Sequence, residues 1–252
     1  ELFDSAAAEL IAQLEEVGEL DNTIVVMTGD NGMPFPRAKM TLYDLGTLVP
    51  FAVRWPARVR AGRVVEDFVT FSDLAPTFLE AAGIEPLPEM SAHSFLAVLK
   101  SEDSGWIDAE RTRVFSSIEL HCGRYPMRAI RTPDYLYVRN YEPDRAINVC
   151  ADYWESEAGY SPTWISVLAL DHTADMYQRI VGTRPLEELY DLASDPYQLN
   201  NVAGQAEYAA IRELLSEELD TELRRTGDPR VDGRHEEVFY IPHQENAQLR
   251  QQ

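Results

Sequence analysis

The chain has 252 residues, 45% of them apolar, so it is long enough to bury a sizeable core in one or two domains. Its net charge of −21 argues against a nucleic-acid partner, because phosphates require a basic surface. No apolar run approaches the ~20 residues of a membrane-spanning helix, so no transmembrane segment is expected. An acidic surface also repels polyanions at long range, so an anionic substrate would need a local basic pocket.

The first 110 residues alternate between predicted helices and strands, which is typical of an α/β core. The opening helix is amphipathic and is expected to bury one face. Ser72 is the predicted N-cap of the second helix, and Gly83 suits the position just after its end. The elements are helices over 1–20, 72–82 and 94–100, strands over 24–27 and 48–55, and an edge strand over 64–70.

The polar, charged residues 101–113 mark a predicted boundary, after which short strands dominate. Strands are predicted over 114–120, 127–131, 135–140 and 186–192, with partly helical structure over 161–182 and an amphipathic helix beginning near Tyr208. This arrangement is α+β. The predicted domains are therefore 1–110, an α/β core with half of a metal site, 111–231, an α+β subdomain, and 232–252, a polar tail.

The first predicted strand ends abruptly at Thr28-Gly29-Asp30-Asn31-Gly32. Active sites of open α/β sheets collect at the carboxyl ends of strands. Asp30 can supply a carboxylate and Asn31 an amide oxygen, both hard ligands that suit Ca²⁺ or Mg²⁺. The alternative is an ordinary turn, which Asp-Asn-Gly also favours.

Two cations, Arg37 and Lys39, follow this turn within a few residues. A metal bound by oxygen ligands beside a cation forms a site for an oxyanion, either sulfate or phosphate. The alternative for Lys39 is a solvated surface lysine, which is the usual environment of this residue type.

Four segments in this order resemble the sulfatase family: the strand and TGDNG turn, LYDLGTLVPFAVRWP, FSDLAPTFLEAAGI and ELYDLASDPYQLNNVA. The resemblance covers roughly residues 2–231. DNGMPFPRAKMTLY and YPMRAIRTPDYLYVRNY are similar to the N-sulfoglucosamine sulfohydrolase (sulfamidase) branch in particular.

The resemblance implies the second half of an alkaline-phosphatase-like α/β core followed by a smaller α+β subdomain. It implies hydrolysis of sulfate esters or sulfamates on a small molecule or sugar, with one Ca²⁺ held partly by Asp30 and Asn31. Lys39 corresponds to the family residue that contacts the sulfate group, where the sulfamidase branch tends to have arginine. Weaker substrate-binding candidates are Arg37, Glu119, His121 and Arg124, and for the last three a polar hairpin is an equal alternative.

The sulfatase nucleophile motif, Cys or Ser followed by x-Pro-Ser-Arg, is missing from this chain. Neither Cys122 nor Cys150 fits it. Both are expected to be free thiols, with one disulfide between them as the alternative. The chain is therefore interpreted as the C-terminal half of a longer enzyme, inactive alone, whose other half carries the formylglycine and the remaining metal ligands. By family resemblance the compartment would be periplasmic, secreted or lysosomal. The alternatives are a phosphate or phosphonate ester hydrolase and a truncated, non-catalytic binding protein.

Overall fold

The computed structural model describes residues 2–121, 123–144, 166–167 and 169–234. The chain divides into two compact units, Glu1–Val202 and Ala203–Gln252. Cys122, Cys150 and most of the predicted tail lie outside the described residues, so the expected free thiols stay a prediction. Among the described helices, none has the length and hydrophobicity needed to cross a membrane.

The N-terminal part of the first unit carries four helices and a two-stranded antiparallel sheet. These elements are α1 (Leu2–Glu16), β1 (Val25–Thr28), α2 (Asp44–Thr47), β2 (Phe51–Arg54), α3 (Leu74–Ala81) and α4 (Leu96–Lys100). β1 pairs with β2 from Val25↔Arg54 to Thr28↔Phe51. The apolar, β-branched run that predicted β1 therefore forms a strand, and its end delivers the chain to Asp30.

The start of the α3 region differs from the prediction. Ser72 lies inside a 3₁₀ turn, Phe71–Asp73, and is not a cap. Thr70 caps this turn, because its side chain and that of Asp73 accept each other's backbone N–H groups in a capping box, and Asp73 occupies the N-cap position of α3. Gly83 follows the helix at φ +74°, which confirms its predicted place after the helix end.

The predicted edge strand over 64–70 is wrong for the described residues, where this stretch forms only an isolated bridge between Val65 and Gly105. The reason is the buried carboxylate of Asp67. It accepts the backbone N–H groups of Ile107 and Asp108, at 2.9 and 2.5 Å, so these amides are bound by a side chain rather than by a neighbouring strand.

The predicted strands beyond residue 113 are confirmed and form one antiparallel sheet in the order β3-β4-β5-β6. They are β3 (Val114–His121), β4 (Gly123–Arg131), β5 (Tyr135–Asn140) and β6 (Glu187–Asp191). A short helix, α5 (Asp175–Val181), precedes β6. A bulge in β3 between Ile118 and Leu120 shifts its register against β4.

The core of this sheet also contains residues that precede it by about 70 positions. Met40, Leu42 and Tyr43 pack in one cluster with side chains of β4, β5 and β6: Tyr125, Met127, Ala129, Leu136, Val138 and Tyr190. The segment after the Asp30–Asn31 turn is therefore part of the hydrophobic core of the four-stranded sheet. The predicted boundary near residue 110 lies between the two sheets, which share the first compact unit, and this division into domains stays a prediction.

The second unit is built around α6 (Ala209–Arg225), which a 3₁₀ turn at Ala206–Tyr208 introduces. Leu215, Leu219 and Leu223 are buried at a spacing of four residues, as the amphipathic pattern predicted.

One feature of α1 differs from the sequence prediction. Its apolar side chains recur at helical spacing, but none of its residues is buried, and Phe3 and Leu10 are 67% and 63% exposed. Phe3, Leu10 and Leu14 line an open groove together with Val25 and Met27 of β1. A single short strand cannot cover the whole apolar side of a four-turn helix, so the expected buried face is wrong for the described structure.

Candidate functional site

The candidate site begins where β1 ends. Asp30 and Asn31 are both exposed, and among the described residues neither side chain makes a hydrogen bond or an ion pair. In an ordinary Asx turn the side-chain oxygen would accept an N–H group of its own backbone. Because no such bond is present in the described part of the chain, both side-chain oxygens are available to an external ligand.

Two glycines bring the turn and the following segment into backbone contact. The N–H of Gly32 donates to the carbonyl of Gly46 at 3.0 Å. A Cβ on Gly32 would lie 2.1 Å from the carbonyl oxygen of Leu45, and one on Gly46 would lie 2.4 Å from that of Ala38. Neither position can accept a side chain unless the backbone moves, so the close approach requires glycine at both.

Lys39 returns to the turn through its backbone. Its N–H donates to the carbonyl of Met33 at 3.0 Å, two residues after Asn31. The side chain is half-buried, and no described residue gives it a hydrogen bond or an ion pair. Arg37 and Met40, on either side, have φ angles of +59° and +70°, values that non-glycine residues rarely adopt. Such backbone persists only where the surrounding structure holds it, and it is enriched at functional sites.

Arg37 is held by backbone carbonyls and an aromatic ring. Its guanidinium donates to the carbonyls of Arg179, at 3.2 Å, and of Gln198, and it lies 4.0 Å from the ring centre of Tyr43. These contacts fix the segment that carries Lys39. The role of Arg37 in substrate binding stays a prediction.

The other three predicted substrate-binding residues lie where β3 meets β4. Glu119 sits at the β3 bulge and forms an ion pair with Arg128, which is 3% exposed and also donates to the carbonyl of Met127 at 2.8 Å. The backbones of His121 and Arg124 pair with the opposite strand, and their side chains lie outside the described structure. A role for these residues in binding substrate stays a prediction.

A buried hydrogen-bond network was not predicted from the sequence. The carboxylate of Glu188, 2% exposed, accepts the hydroxyls of Tyr43 at 2.8 Å and Tyr190 at 2.5 Å, and the Asn140 amide at 2.7 Å. Burial raises the pKa of both tyrosines above the usual range, and the neighbouring Glu188 charge raises it further. The one available signal was a carboxylate, Glu188, directly before Leu189 and Tyr190 in a predicted strand.

Within the described residues, no three His, Cys, Asp or Glu side chains converge on a point where they could hold a metal ion. Asp30 and Asn31 together offer one carboxylate and one amide oxygen. A Ca²⁺ ion takes six to eight oxygens, so this pair could form only part of such a site.

Comparison with known proteins identifies relatives over most of the chain. The sulfatase family profile matches residues 2–84. An ulvan-active sulfatase from Formosa agariphila is 32% identical over 230 residues, covering 90% of this chain and 37% of that protein. The human N-sulphoglucosamine sulphohydrolase is 30% identical over 247 residues, covering 91% of this chain and 47% of that protein. The chain therefore spans less than half the length of these relatives.

Solved structures show the same fold. BT4656, solved in complex with its substrate D-glucosamine-2-N,6-O-disulfate, gives a TM-score of 0.66 at 25% identity, over 89% of this chain and 39% of that one. The phosphonate monoester hydrolase of Agrobacterium radiobacter gives 0.58 at 22% identity, over 88% and 39%. Both the predicted alkaline-phosphatase-like α/β fold and the predicted resemblance are confirmed, and a protein of the sulfamidase branch is among the relatives. The chain belongs to the sulfatase family.

Proposed function

We propose that this chain is the metal- and sulfate-binding C-terminal portion of a hydrolase that cleaves sulfate esters or sulfamates of amino sugars. Two similarities support this substrate class. The human relative is named for N-sulphoglucosamine, and BT4656 has a 2-N,6-O-disulfated glucosamine as its substrate.

The observation that carries the proposal is the arrangement around Asp30. Two oxygen side chains just after the strand end are exposed to solvent, and the backbone N–H of Lys39 donates to the carbonyl of Met33, two residues after Asn31, which supports a cation close to the same turn. A plain surface turn would not require the backbone of Gly32 and Gly46 to approach so closely, nor left-handed backbone on both sides of one lysine.

The donor set fits one Ca²⁺. Asp30 and Asn31 would hold it through hard oxygen atoms, and further ligands would come from residues outside this chain and from the substrate. When bound, Ca²⁺ supplies positive charge that polarises the sulfate oxygens. Lys39 would donate a charge-assisted hydrogen bond to the same group and stabilise the charge that develops on it.

The chain alone is expected to be inactive. It lacks the Cys/Ser-x-Pro-Ser-Arg motif, so the formylglycine nucleophile would belong to the part of the enzyme outside these 252 residues. Assay of the purified chain on an aryl sulfate with Ca²⁺ tests this, and turnover above the buffer blank would contradict it.

The reaction class is tested with the full-length enzyme on three substrates: an aryl sulfate, N-sulfoglucosamine and an aryl phosphonate monoester. The proposal predicts release of inorganic sulfate from at least one of the first two, at a higher kcat/KM than phosphonate hydrolysis. Preferential phosphonate hydrolysis would establish the alternative chemistry of this fold. No hydrolysis of any substrate by the folded enzyme would favour a non-catalytic binding protein.

A further inference from the structure

The buried carboxylate of Glu188 joins the four-stranded sheet to the segment that carries Lys39. Tyr190 and Asn140, two of the groups that donate to it, belong to the sheet. The third, Tyr43, lies four residues after Lys39. Tyr43 is also the ring against which Arg37 and Arg184 place their guanidinium groups, at 4.0 and 5.2 Å from its centre.

Two further contacts act on the same segment. The buried Gln198 accepts the N–H of Asp44 through its side chain, at 3.1 Å, and accepts Arg37 through its backbone carbonyl. Arg131 of β4 binds both carboxylate oxygens of Asp44, at 3.2 and 3.0 Å. The segment from Arg37 to Asp44 is thus attached to the sheet through Tyr43 and Asp44, and to the chain beyond β6 through Gln198.

We propose that Glu188 is a positioning residue that acts through Tyr43 to hold the Arg37–Asp44 segment, and with it Lys39, in its working geometry. The link to catalysis rests on the proposed function, whereas the positioning itself does not.

Two physical arguments favour positioning over a purely stabilising role. Burying a carboxylate is costly, and well-packed apolar residues often serve stability equally well or better. The left-handed backbone at Arg37 and Met40 costs about 1–3 kcal/mol per residue and therefore requires surrounding contacts that enforce it. The hydrogen bond of Tyr43 to Glu188 and the ion pair of Asp44 with Arg131 supply such contacts three and four residues after Met40.

The two tyrosines allow a matched test. Tyr43→Phe and Tyr190→Phe each remove one hydroxyl that donates to the same Glu188 oxygen from a nearly fully buried side chain. Because the two lost hydrogen bonds are alike, the general loss of stability should be similar in both variants. Only Tyr43 lies in the Arg37–Asp44 segment. A change confined to the segment should occur in Tyr43→Phe alone.

The first measurement is amide hydrogen exchange in the 252-residue chain. The N–H of Lys39 donates to Met33 and that of Thr41 donates to Ala38, so exchange of these two amides reports local opening of the segment. Tyr43→Phe should accelerate exchange over residues 33–43 about ten- to hundredfold, as expected for loss of a hydrogen bond to a charged group. Tyr190→Phe should not. Asp44→Asn, which weakens the Arg131 tie, should show the same local acceleration and provides a second variant.

The second measurement is steady-state kinetics in the full-length enzyme on N-sulfoglucosamine. Tyr43→Phe should lower kcat about ten- to hundredfold with a smaller change in KM, while Tyr190→Phe keeps the wild-type kcat. Equal exchange over 33–43 in the two variants would overturn the inference, as would an unchanged kcat in Tyr43→Phe of an active enzyme. If the wild-type enzyme releases no sulfate, the proposed function fails and the exchange measurement alone decides the positioning.

Discussion

At the scale of single residues, Lys39 combines a fixed backbone with a side chain to which no described residue gives a hydrogen bond or ion pair. Arg37 and Met40, on either side of it in the chain, have left-handed backbone, which fixes the local course of the chain. A lysine that is merely solvated at the surface would need no such backbone restraint. Replacing Lys39 should therefore change the activity of the enzyme while leaving its stability nearly unchanged.

We expect Lys39→Ala to slow sulfate release by the full-length enzyme by about 30- to 1000-fold, or roughly 2–4 kcal/mol, because it removes a cation that tightens on the transferring group. Lys39→Arg should retain much of the activity because it keeps the charge. The melting temperature should hardly change in either variant.

The matched control for this prediction is Lys100→Ala, at the exposed end of α4. It should have wild-type kinetics. A Lys39→Ala enzyme as fast as Lys100→Ala would show that Lys39 is only a surface residue.

At the scale of elements, the position of Lys39 depends on the backbone approach between the turn after β1 and α2. A Cβ on Gly46, within α2, would lie 2.4 and 2.5 Å from the carbonyl oxygens of Ala38 and Thr41. These are backbone atoms, which cannot move aside as a side chain can. The short helix α2 therefore acts as the support on which the Lys39 segment rests.

Gly46→Ala should lower the free energy of unfolding of the 252-residue chain by about 1–3 kcal/mol, since it overpacks a site closed by backbone on both sides. Gly204→Ala is the control, because a Cβ there meets nothing within 4 Å. Urea unfolding followed by circular dichroism measures both. Equal stability of the two variants would mean that the close approach is not required.

The elements were largely predictable because their signals are local. An apolar, β-branched run predicted β1, short strand-like runs between turns predicted β3 to β6, and a glycine marked the end of α3. The strand over 64–70 was not predictable in this way, since Asp67 takes its partners from residues about 40 positions away. Asp30, Asn31 and Lys39 lie within ten residues of one another, so they could be proposed from residue type and spacing. The Tyr43–Glu188 bond joins residues 145 positions apart, and no local pattern predicts it.

At the scale of the whole molecule, the buried tyrosines connect folding to pH. Burial, and for Tyr43 and Tyr190 the charge of Glu188, raises their pKa, and burial raises the pKa of Tyr125 to about 12. An unfolded tyrosine has a pKa of about 10. Below that pH the folded and the unfolded state both keep the tyrosine protons, so these groups do not lower the free energy of unfolding. Above it the unfolded state releases protons that the folded state retains, and stability is lost as pH rises.

We therefore expect the free energy of unfolding of the chain to fall as the pH rises above about 10, and to fall less steeply in Tyr190→Phe, which lacks one of the shifted groups. Urea unfolding at a series of pH values measures the two slopes. Identical slopes would show that the Tyr190 hydroxyl is not held protonated by the folded structure.

The most direct test of the central claim, that the Asp30–Asn31 turn holds the metal of a sulfatase-type hydrolase, is sulfate release by the full-length enzyme. Divalent ions are first removed and Ca²⁺ is then restored, with wild type, Asn31→Ala and Asp30→Ala compared on N-sulfoglucosamine. The account predicts recovery in the wild type, recovery only at higher Ca²⁺ in Asn31→Ala, which loses a neutral ligand, and none in Asp30→Ala, which loses a charged one. Recovery in Asp30→Ala at the wild-type rate and the wild-type Ca²⁺ concentration would contradict it.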